Sequence, residues 1–309
     1  MNWFGAKSQK NEALGVEFTS EGVAFAFIQR PAMQEPRLAH CEFLPCEPKA
    51  SAPELLRSRL VKLGLQKVPC TIALNAGAYQ LLLGEAPKVP PEELAEALRW
   101  RLKDLVQFPI ADAVIDAFLL PEDSARGTSR MAYAVVVQRN HLLHLIGQAK
   151  IAQLAIAAID IPELVLRNIA QTCCDTKRGI AFVKLVAGGG SLHIIRDGSL
   201  YLSRQFSLSY NGGILDELPA DALVLELQRS LDYFERQMRQ IPPTHVYLCG
   251  ENVTTDKLTP EIRNGLSVNM AVLDIYSGLQ IDKNVQDHHV ANCLLALGAA
   301  LRQDPVGVS

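Results

Sequence analysis

The 309-residue sequence lacks several features that would assign it to a membrane-bound or nucleic-acid-binding class. It contains no run of about 18 apolar residues, so we expect no membrane-spanning helix. Its first residues have neither a long apolar core nor a cleavage site, so we expect no signal peptide. The net charge is −3, with acidic and basic residues mixed along the chain. The basic patch of a nucleic-acid-binding protein is therefore missing as well.

Metal-binding and nucleophile patterns are also missing. The seven cysteines show no metal-ligand spacing, and the adjacent pair Cys173 and Cys174 is poorly placed to form a bridge. This usage predicts reduced thiols in a reducing compartment. The adjacent His288 and His289 would point about 100° apart on a helix and converge poorly on one metal ion. The sequence contains no Ser/His/Asp or Cys/His signature. It therefore predicts neither a catalytic residue nor a metal site.

What the sequence does contain is a repeated hairpin. Residues 14–27 and residues 180–195 each have the pattern of a strand, a tight turn and a second strand. Each hairpin is followed by a third strand, a helix with apolar residues at helical spacing, and a further strand. The segments are residues 37–44, 53–63 and 70–74 in the first half and residues 199–206, 221–241 and 245–248 in the second. The pattern predicts a duplicated β-β-β-α-β architecture.

A different unit interrupts the first half of the chain. Residues 79–138 predict a compact β-α-β-β module whose helix begins at Pro90 and ends at Phe108. The predicted buried face of this helix consists of Leu94, Leu98, Leu102 and Leu105. After the module, the pattern predicts helix 140–154 with Asn140 as its cap, strand 156–160, helix 162–172 and a closing helix 287–302.

Two of the predicted helices carry further information. The helix of the second half is expected to bury a stripe of side chains at helical spacing. This stripe comprises Leu223, Leu227, Leu231, Phe234, Met238 and Ile241. In the closing helix, the small residues Gly298, Ala299 and Ala300 would let another element approach closely.

Four segments resemble actin-like pilus assembly proteins of the PilM type. They are residues 98–109 (LRWRLKDLVQFP), 157–168 (AAIDIPELVLRN), 225–234 (LELQRSLDYF) and 298–302 (GAALR). The resemblance extends over nearly the whole chain from Ala13, and most resembles the branch that serves mannose-sensitive haemagglutinin (MSHA) pili. It implies an α/β chain with the actin-like (ribonuclease H-like) two-domain fold and an inserted β-α-β-β subdomain, as in the FtsA/PilM branch.

The resemblance also implies a division of the chain into domains. The expected parts are a flexible tail at 1–12, a first actin-like domain at 13–77 and 140–178, an inserted subdomain at 78–139, a second actin-like domain at 179–284, and a closing helix with a tail at 285–309.

PilM-type proteins are cytoplasmic and lie beneath the inner membrane. The resemblance therefore implies a scaffold that binds the short cytoplasmic N-terminus of a PilN-type inner-membrane protein and links the pilus assembly motor to the envelope. Two alternatives remain open. One is an ATP-binding actin-like ATPase with slow turnover or polymerisation, and the other is the cytoplasmic domain of a type II secretion L-type protein.

The first hairpin lacks most of what an active member of the actin-like family would carry. Such a member has Asp-x-Gly followed by a lysine, which position metal-bound water and contact the phosphates. The corresponding positions here are Glu17, Thr19 and Ala24, with Ser20 beside them in the turn. Glu17 keeps a carboxylate, but Thr19 adds a side chain where the backbone must approach, and Ala24 carries no charge.

The second hairpin is degenerate too. Lys184 stands where the second acidic residue is expected, although its charge could replace the missing lysine. The turn residues Gly188, Gly189 and Gly190 allow two interpretations, an anion-binding turn or a plain hairpin turn.

The segment that would bind adenosine keeps one of its paired glycines, Gly250, followed by Glu251. A carboxylate at that point would repel a polyphosphate unless a metal ion intervened. We therefore expect a pseudo-ATPase without hydrolysis, for which ATP or ADP with Mg²⁺ is the one cofactor to be considered.

The helix of the inserted module carries a basic run with one aromatic residue, formed by Arg99, Trp100, Arg101 and Lys103. These residues are either ordinary surface charge or part of the cleft beside the first domain, where the partner peptide of the family docks. On the second interpretation they are the candidate partner-binding residues. Replacing Trp100 and Arg101 by alanine would then abolish peptide binding while keeping the fold.

Overall fold

The structure is a computed structural model that describes residues 11–47, 50–124, 129–250 and 252–303, with residues 287–289 described by backbone only. The strands are β1 (Glu12–Phe18), β2 (Gly22–Gln29), β3 (Arg37–Pro45), β4 (Pro69–Ala73), β5 (Tyr79–Glu85), β6 (Ala113–Leu119), β7 (Met131–Gln138), β8 (Ala155–Asp160), β9 (Ile180–Val186), β10 (Gly189–Arg196), β11 (Ser199–Ser207), β12 (His245–Gly250), β13 (Asn269–Val272) and β14 (Gln280–Ile281). The helices are α1 (Ala52–Leu63), α2 (Leu94–Leu102), α3 (Arg139–Ile151), α4 (Pro162–Cys173), α5 (Ala220–Asp232), α6 (Pro260–Asn264), α7 (Asp287–Asn292) and α8 (Leu294–Ala300). In this part of the chain, no helix is both long enough and apolar enough to cross a bilayer.

The two large sheets repeat one topology. The first has the strand order β14-β3-β2-β1-β4-β8, and the second has the order β11-β10-β9-β12-β13. In each, three antiparallel strands are followed by two parallel ones. The pairing of the second and third strands even shifts register at equivalent places, after Phe27 and after Ile194. The predicted duplication is confirmed.

The inserted module forms a third sheet of order β5-β7-β6. Successive side chains of a strand point to opposite faces, and β7 uses both faces for packing. Ala132, Ala134 and Val136 pack on the side of α2, whereas Val135 and Val137 pack against the core of the first sheet. Helix α2 therefore lies on the face of the inserted sheet that points away from the first sheet.

Helices α4 and α8 fill the space between the two large sheets. A Cβ atom at Gly15 of β1 would lie 1.8 Å from the carbonyl oxygen of Ala296, so α8 rests directly on β1. A Cβ atom at Gly298 would lie 2.2 Å from the carbonyl oxygen of Val165 in α4. The close approach predicted at Gly298 is confirmed.

The helix of the inserted module is shorter than predicted. A short 3₁₀ turn precedes it, and α2 itself ends at Leu102. Leu94, Leu98 and Leu102 are buried as expected, but Leu105 is 61% exposed, so its assignment to the buried face was wrong. Three leucines spaced by about one turn already cover the short sheet, and the chain then turns back toward β6.

The long helix of the second half is interrupted. Helix α5 is followed by a π-helical turn, Tyr233–Gln237, and Arg239 adopts a left-handed φ of 54°. The wider turn changes the angular spacing of side chains, and the left-handed residue ends the helix. Met238 is still buried, but Ile241 is 76% exposed, so its assignment to the buried stripe was wrong.

Four smaller expectations also differ from the structure. The closing helix is divided into α7 and α8 at the buried Cys293. Helix α3 begins at Arg139 with Gln138 in the cap position, so Asn140 is not its cap. Strand β1 begins at Glu12, inside the segment predicted as a tail, and β14 joins the first sheet although it was assigned to the second domain. The remaining domain division stays a prediction, and residues 1–10 and 304–309 lie outside the described part.

Candidate functional site

The two hairpins place Glu17 and Lys184 close enough for their charges to interact. Glu17 lies near the end of β1, and Lys184 occupies the equivalent part of β9. Burial raises the pKa of Glu17, and the nearby positive charge of Lys184 partly offsets this rise. The charge of Lys184 thus acts on the one carboxylate that the degenerate hairpin keeps.

The turn of the first hairpin is held by its own side chain rather than being open to a phosphate. The Thr19 hydroxyl accepts hydrogen bonds from the amides of Glu21 at 3.2 Å and Gly22 at 3.1 Å. Ser20 is exposed beside it. Ala24 is fully buried and paired with Glu17 in the ladder, so a charged side chain at this position would enter the core.

The glycines of the second hairpin serve strand packing. The Gly188 amide, at a left-handed φ of 84°, donates to the carbonyl of Tyr210 at 2.8 Å. A Cβ atom at Gly189 would lie 2.2 Å from the carbonyl oxygen of Phe206, and one at Gly190 would lie 2.8 Å from that of Lys184. These contacts favour the plain-turn interpretation over the anion-binding one.

The end of β12 borders a cavity of about 660 Å³, beside the segment that the resemblance assigns to adenosine. Gly250 is required there because a Cβ atom would lie 2.2 Å from the carbonyl oxygen of Leu185. The amide of the Asn252 side chain donates to the carbonyl of Gly212 at 2.7 Å. Gly250 is thus explained by packing on β9, and Glu251 lies outside the described residues.

Sequence reasoning missed Tyr79, Glu163 and His193, three polar side chains that line a small cleft together with Lys184. Glu163, at the start of α4, is 3% exposed, and its Oε2 accepts a 2.6 Å hydrogen bond from the Tyr79 hydroxyl. Burial raises the pKa of both groups. His193 of β10 is also buried, with its Nε2 2.9 Å from the Ser191 hydroxyl. Glu163 lies in segment 157–168, which carries part of the resemblance, but nothing in that segment marks it as a site residue. For His193, its position within the apolar run of a strand was the one available signal.

The cleft histidine is held neutral. Burial first, and the charge of Lys184 second, lower the pKa of His193 to about 3. Its Nδ1 is buried with no hydrogen-bond partner among the described residues. The cleft therefore combines a buried carboxyl, a neutral imidazole and one lysine, and it offers little of the set that phosphate transfer needs.

This depressed pKa predicts an acid-sensitive contribution to stability. The unfolded chain protonates His193 near pH 6.5 while the folded chain keeps it neutral, so stability present above that pH is lost as the pH falls toward 3. Between pH 7 and pH 5, wild type should lose about 2 kcal/mol more unfolding free energy than a His193→Gln variant. Urea denaturation followed by circular dichroism at both pH values measures the difference, and equal losses in the two proteins would contradict it.

A second opening, which we call the groove, lies between the inserted sheet, α4 and the second sheet. Its volume is about 320 Å³. Its walls comprise Asp116, Ala117, Phe118 and Leu119 of β6, Asp160, Ile161, Leu164 and Arg167 around the start of α4, Ser199 and Leu200 of β11, and Pro121, Val135, Arg302 and Gln303. Apolar walls with a few charged groups are typical of a binding site rather than of a packing defect.

The charged groups of the groove differ in how completely they are paired by ion pairs and hydrogen bonds. Asp160 is 3% exposed and forms an ion pair with Arg302, in which Nη1 of the arginine lies 2.7 Å from Oδ2 of the aspartate. Arg167 donates from Nη2 to the side-chain oxygen of Asn168 at 3.0 Å, but its buried Nε has no partner in the described part of the chain. Burial lowers the pKa of Arg167. The groove thus contains one guanidinium whose hydrogen-bonding capacity is incompletely used.

A polar contact ties the inserted module to the second sheet beside the groove. Asp123, which follows β6, forms an ion pair with Arg196 of β10 and accepts a 2.8 Å hydrogen bond from the Tyr201 hydroxyl. The side-chain amide of Gln240 donates to the Asp123 carbonyl at 2.6 Å. These contacts fix the wall that β11 contributes.

The predicted partner-binding helix does not border the groove. Arg99 donates to the carbonyls of Ile110 and Ala113, both at 3.2 Å, and thereby holds the module together. Trp100 is 70% exposed, and Arg101 and Lys103 are exposed beside it. Helix α2 covers the face of the inserted sheet that points away from the first sheet, so it does not line a cleft beside the first domain. The partner-binding role of its residues stays a prediction.

Comparisons with known proteins identify the fold. No family model matches the chain, and no curated protein matches it in sequence. A solved PilM–PilN type IV pilus biogenesis complex is similar in structure, with a TM-score of 0.70, 19% sequence identity, and coverage of 95% of this chain and 98% of that one. The cytoplasmic domain of EpsL, an inner-membrane component of the type II secretion system of Vibrio cholerae, is similar at a TM-score of 0.51, with 11% identity over 95% of this chain and 96% of the other. The chain has the predicted actin-like α/β fold.

Proposed function

We propose that this chain is a scaffold of a type IV pilus assembly platform that binds the cytoplasmic N-terminal peptide of a PilN-type inner-membrane protein in the groove. The observation that carries the proposal is the groove itself, with apolar walls around the incompletely paired Arg167. A short amphipathic peptide offers the apolar side chains and the carbonyl acceptors that such walls require. The similarity to a PilM–PilN complex over nearly the whole chain supports a partner of this type.

The proposal places the chain in the cytoplasm, held beneath the inner membrane by its partner. There it would connect that partner to the pilus assembly motor. On the sequence resemblance, the pilus is of the MSHA type. The second candidate, a type II secretion L-type cytoplasmic domain, has weaker support, because the EpsL domain has a TM-score of 0.51 against 0.70 for the pilus complex.

Peptide binding is the direct test of the proposal. A fluorescein-labelled synthetic peptide of the N-terminal segment of the PilN-type protein from the same organism is titrated with the full chain. We expect saturable binding that is displaced by unlabelled peptide but not by a scrambled sequence. Absence of saturable binding, measured by fluorescence anisotropy, would exclude this function.

We further propose that the chain does not hydrolyse ATP. Glu17 is half-buried with a raised pKa, and the Thr19 hydroxyl is bonded within its own hairpin. The Gly188 amide is bonded to the carbonyl of Tyr210 after β11, and the buried Ala24 stands where a lysine is expected. Among the described residues of the two hairpins, none remains to position both a metal-bound water and a phosphate as the active members of the fold do.

Incubation with ATP and Mg²⁺ should therefore release no phosphate above the protein-free blank. Binding is measured separately with a fluorescent ATP analogue, because the cavity beside Gly250 has room for a ligand. Micromolar binding together with steady phosphate release would reject the scaffold assignment in favour of a slow ATPase.

A further inference from the structure

Strand β6 presents an edge, rather than a face, to the groove. Side chains of a strand alternate between its faces, so a cavity on one face contacts every second residue. The groove is lined instead by four consecutive residues, Asp116, Ala117, Phe118 and Leu119. Ala117 and Leu119 pack on the α2 side and Phe118 on the other side. The common feature of the four residues is the backbone edge of the strand.

This edge has no neighbouring strand in the described structure. The inserted sheet has the order β5-β7-β6, so β6 is paired on one side alone. Polar backbone groups on its other side are available to an added strand.

The pairing pattern shows which residues point outward. The Leu120 amide donates to the carbonyl of the residue opposite it, Met131, at 2.9 Å, so even-numbered residues of β6 bond to β7. The odd-numbered residues therefore direct both backbone groups to the free edge. Two independent contacts agree: the Ala113 carbonyl accepts from Arg99 at 3.2 Å, and the Ala117 amide donates to Asp116 Oδ1 at 2.8 Å.

Those two contacts also limit the free edge. Arg99 covers its start, and the carboxylate of Asp116 covers one amide in its middle. Charged side chains at sheet edges block unspecific pairing with other chains. The backbone groups of Ile115 and Leu119 and the carbonyl of Ala117 remain for a partner strand that enters the groove.

We infer that the partner peptide binds as an added β-strand along the free edge of β6, with its far side against α4 and Arg167. This inference rests on the proposed function and names the binding mode. In such a complex, alternate peptide amides donate to the carbonyls of Ile115 and Ala117, and the amides between them point toward α4.

Backbone N-methylation of the peptide tests the mode, because it removes one amide donor and leaves every side chain unchanged. A set of synthetic PilN-type peptides, each methylated at one residue, is titrated against the full wild-type chain. We expect a period-two pattern within the central segment. Methylation at alternate residues should weaken binding about tenfold or more, because it removes a hydrogen bond to β6 and adds bulk at that edge. Methylation between them removes no bond to β6, so its effect should be smaller by at least about threefold.

The results distinguish a failure of the binding mode from a failure of the proposed function. If the unmodified peptide binds but methylation is tolerated everywhere, or weakens binding without alternation, the added-strand mode is wrong and the proposed function stands. If the unmodified peptide does not bind, the proposed function fails, and the inference falls with it.

Discussion

Replacing Gly298 by alanine should destabilise the protein by about 3 kcal/mol or more. The added Cβ atom would lie 2.2 Å from the carbonyl oxygen and 2.7 Å from the carbonyl carbon of Val165, both backbone atoms that no side-chain rotation can move. The Gly298 carbonyl also accepts a 2.9 Å hydrogen bond from the buried Asn168. Helix α8 cannot shift away, because its other side rests on Gly15 of β1. Urea denaturation followed by circular dichroism measures the loss.

Gly147→Ala is the matched control for this variant. Gly147 also lies in a helix, α3, but nothing lies within 4 Å of the position of its Cβ atom. In the helix interior, alanine is favoured over glycine by up to about 1 kcal/mol, so this variant should be as stable as wild type or more stable. Equal stability of the two variants would show that α4 and α8 are not in the tight contact described.

The order of elements and the duplication were predictable because they depend on local patterns. Apolar residues alternate in both hairpins, and proline marks the starts of α1 and α4. The role of Gly298 was predictable for the same reason, since small residues on a buried helix permit close approach. These features need no knowledge of distant parts of the chain.

The errors arose where tertiary packing overrides a local pattern. Leu105 and Ile241 continue a helical spacing in the sequence, yet both helices end before them and leave the side chains exposed. The break at Cys293 directly follows Asn292, the one polar residue between Val290 and Leu301, which is a weak signal within an apolar stretch. A pattern of apolar residues shows that a helix is possible, but the length that packing requires decides where it ends.

The groove was not predictable because its walls come from distant segments. The walls come from β6, α4, β11 and the end of the described chain, which contribute Asp116, Arg167, Ser199 and Arg302 in that order. No spacing in the sequence connects these residues. The resemblance led to the inserted module as the docking region, but to the face of Trp100 rather than to the side that borders the groove. The structure shows, through the alternation of side chains along β7, which face of the inserted sheet α2 covers and which face packs on the first sheet.

Replacing Arg167 by methionine should weaken peptide binding tenfold or more while leaving the fold intact. A hydrogen bond from a charged donor contributes about 1.5–3 kcal/mol to an interaction, which corresponds to roughly 10- to 100-fold in affinity. Methionine keeps the length and apolar contacts of the side chain but offers no donor. The unfolding free energy should fall by no more than about 2 kcal/mol. The variant loses the 3.0 Å hydrogen bond from Nη2 to Asn168, but it also removes a guanidinium whose charged form burial disfavours and whose Nε has no partner among the described residues.

Trp100→Ala is the matched variant for the other surface, and we expect it to keep the affinity that Arg167→Met loses. The side chain is 70% exposed on the α2 face of the inserted sheet, so its removal should leave both the fold and the affinity for the peptide unchanged. Anisotropy titrations of wild type and both variants, with urea denaturation of each, decide between the two surfaces. If Trp100→Ala loses affinity and Arg167→Met keeps it, the peptide docks on α2 as the sequence first indicated. The reverse result places it in the groove, because Arg167 lines that opening and Trp100 is remote from it.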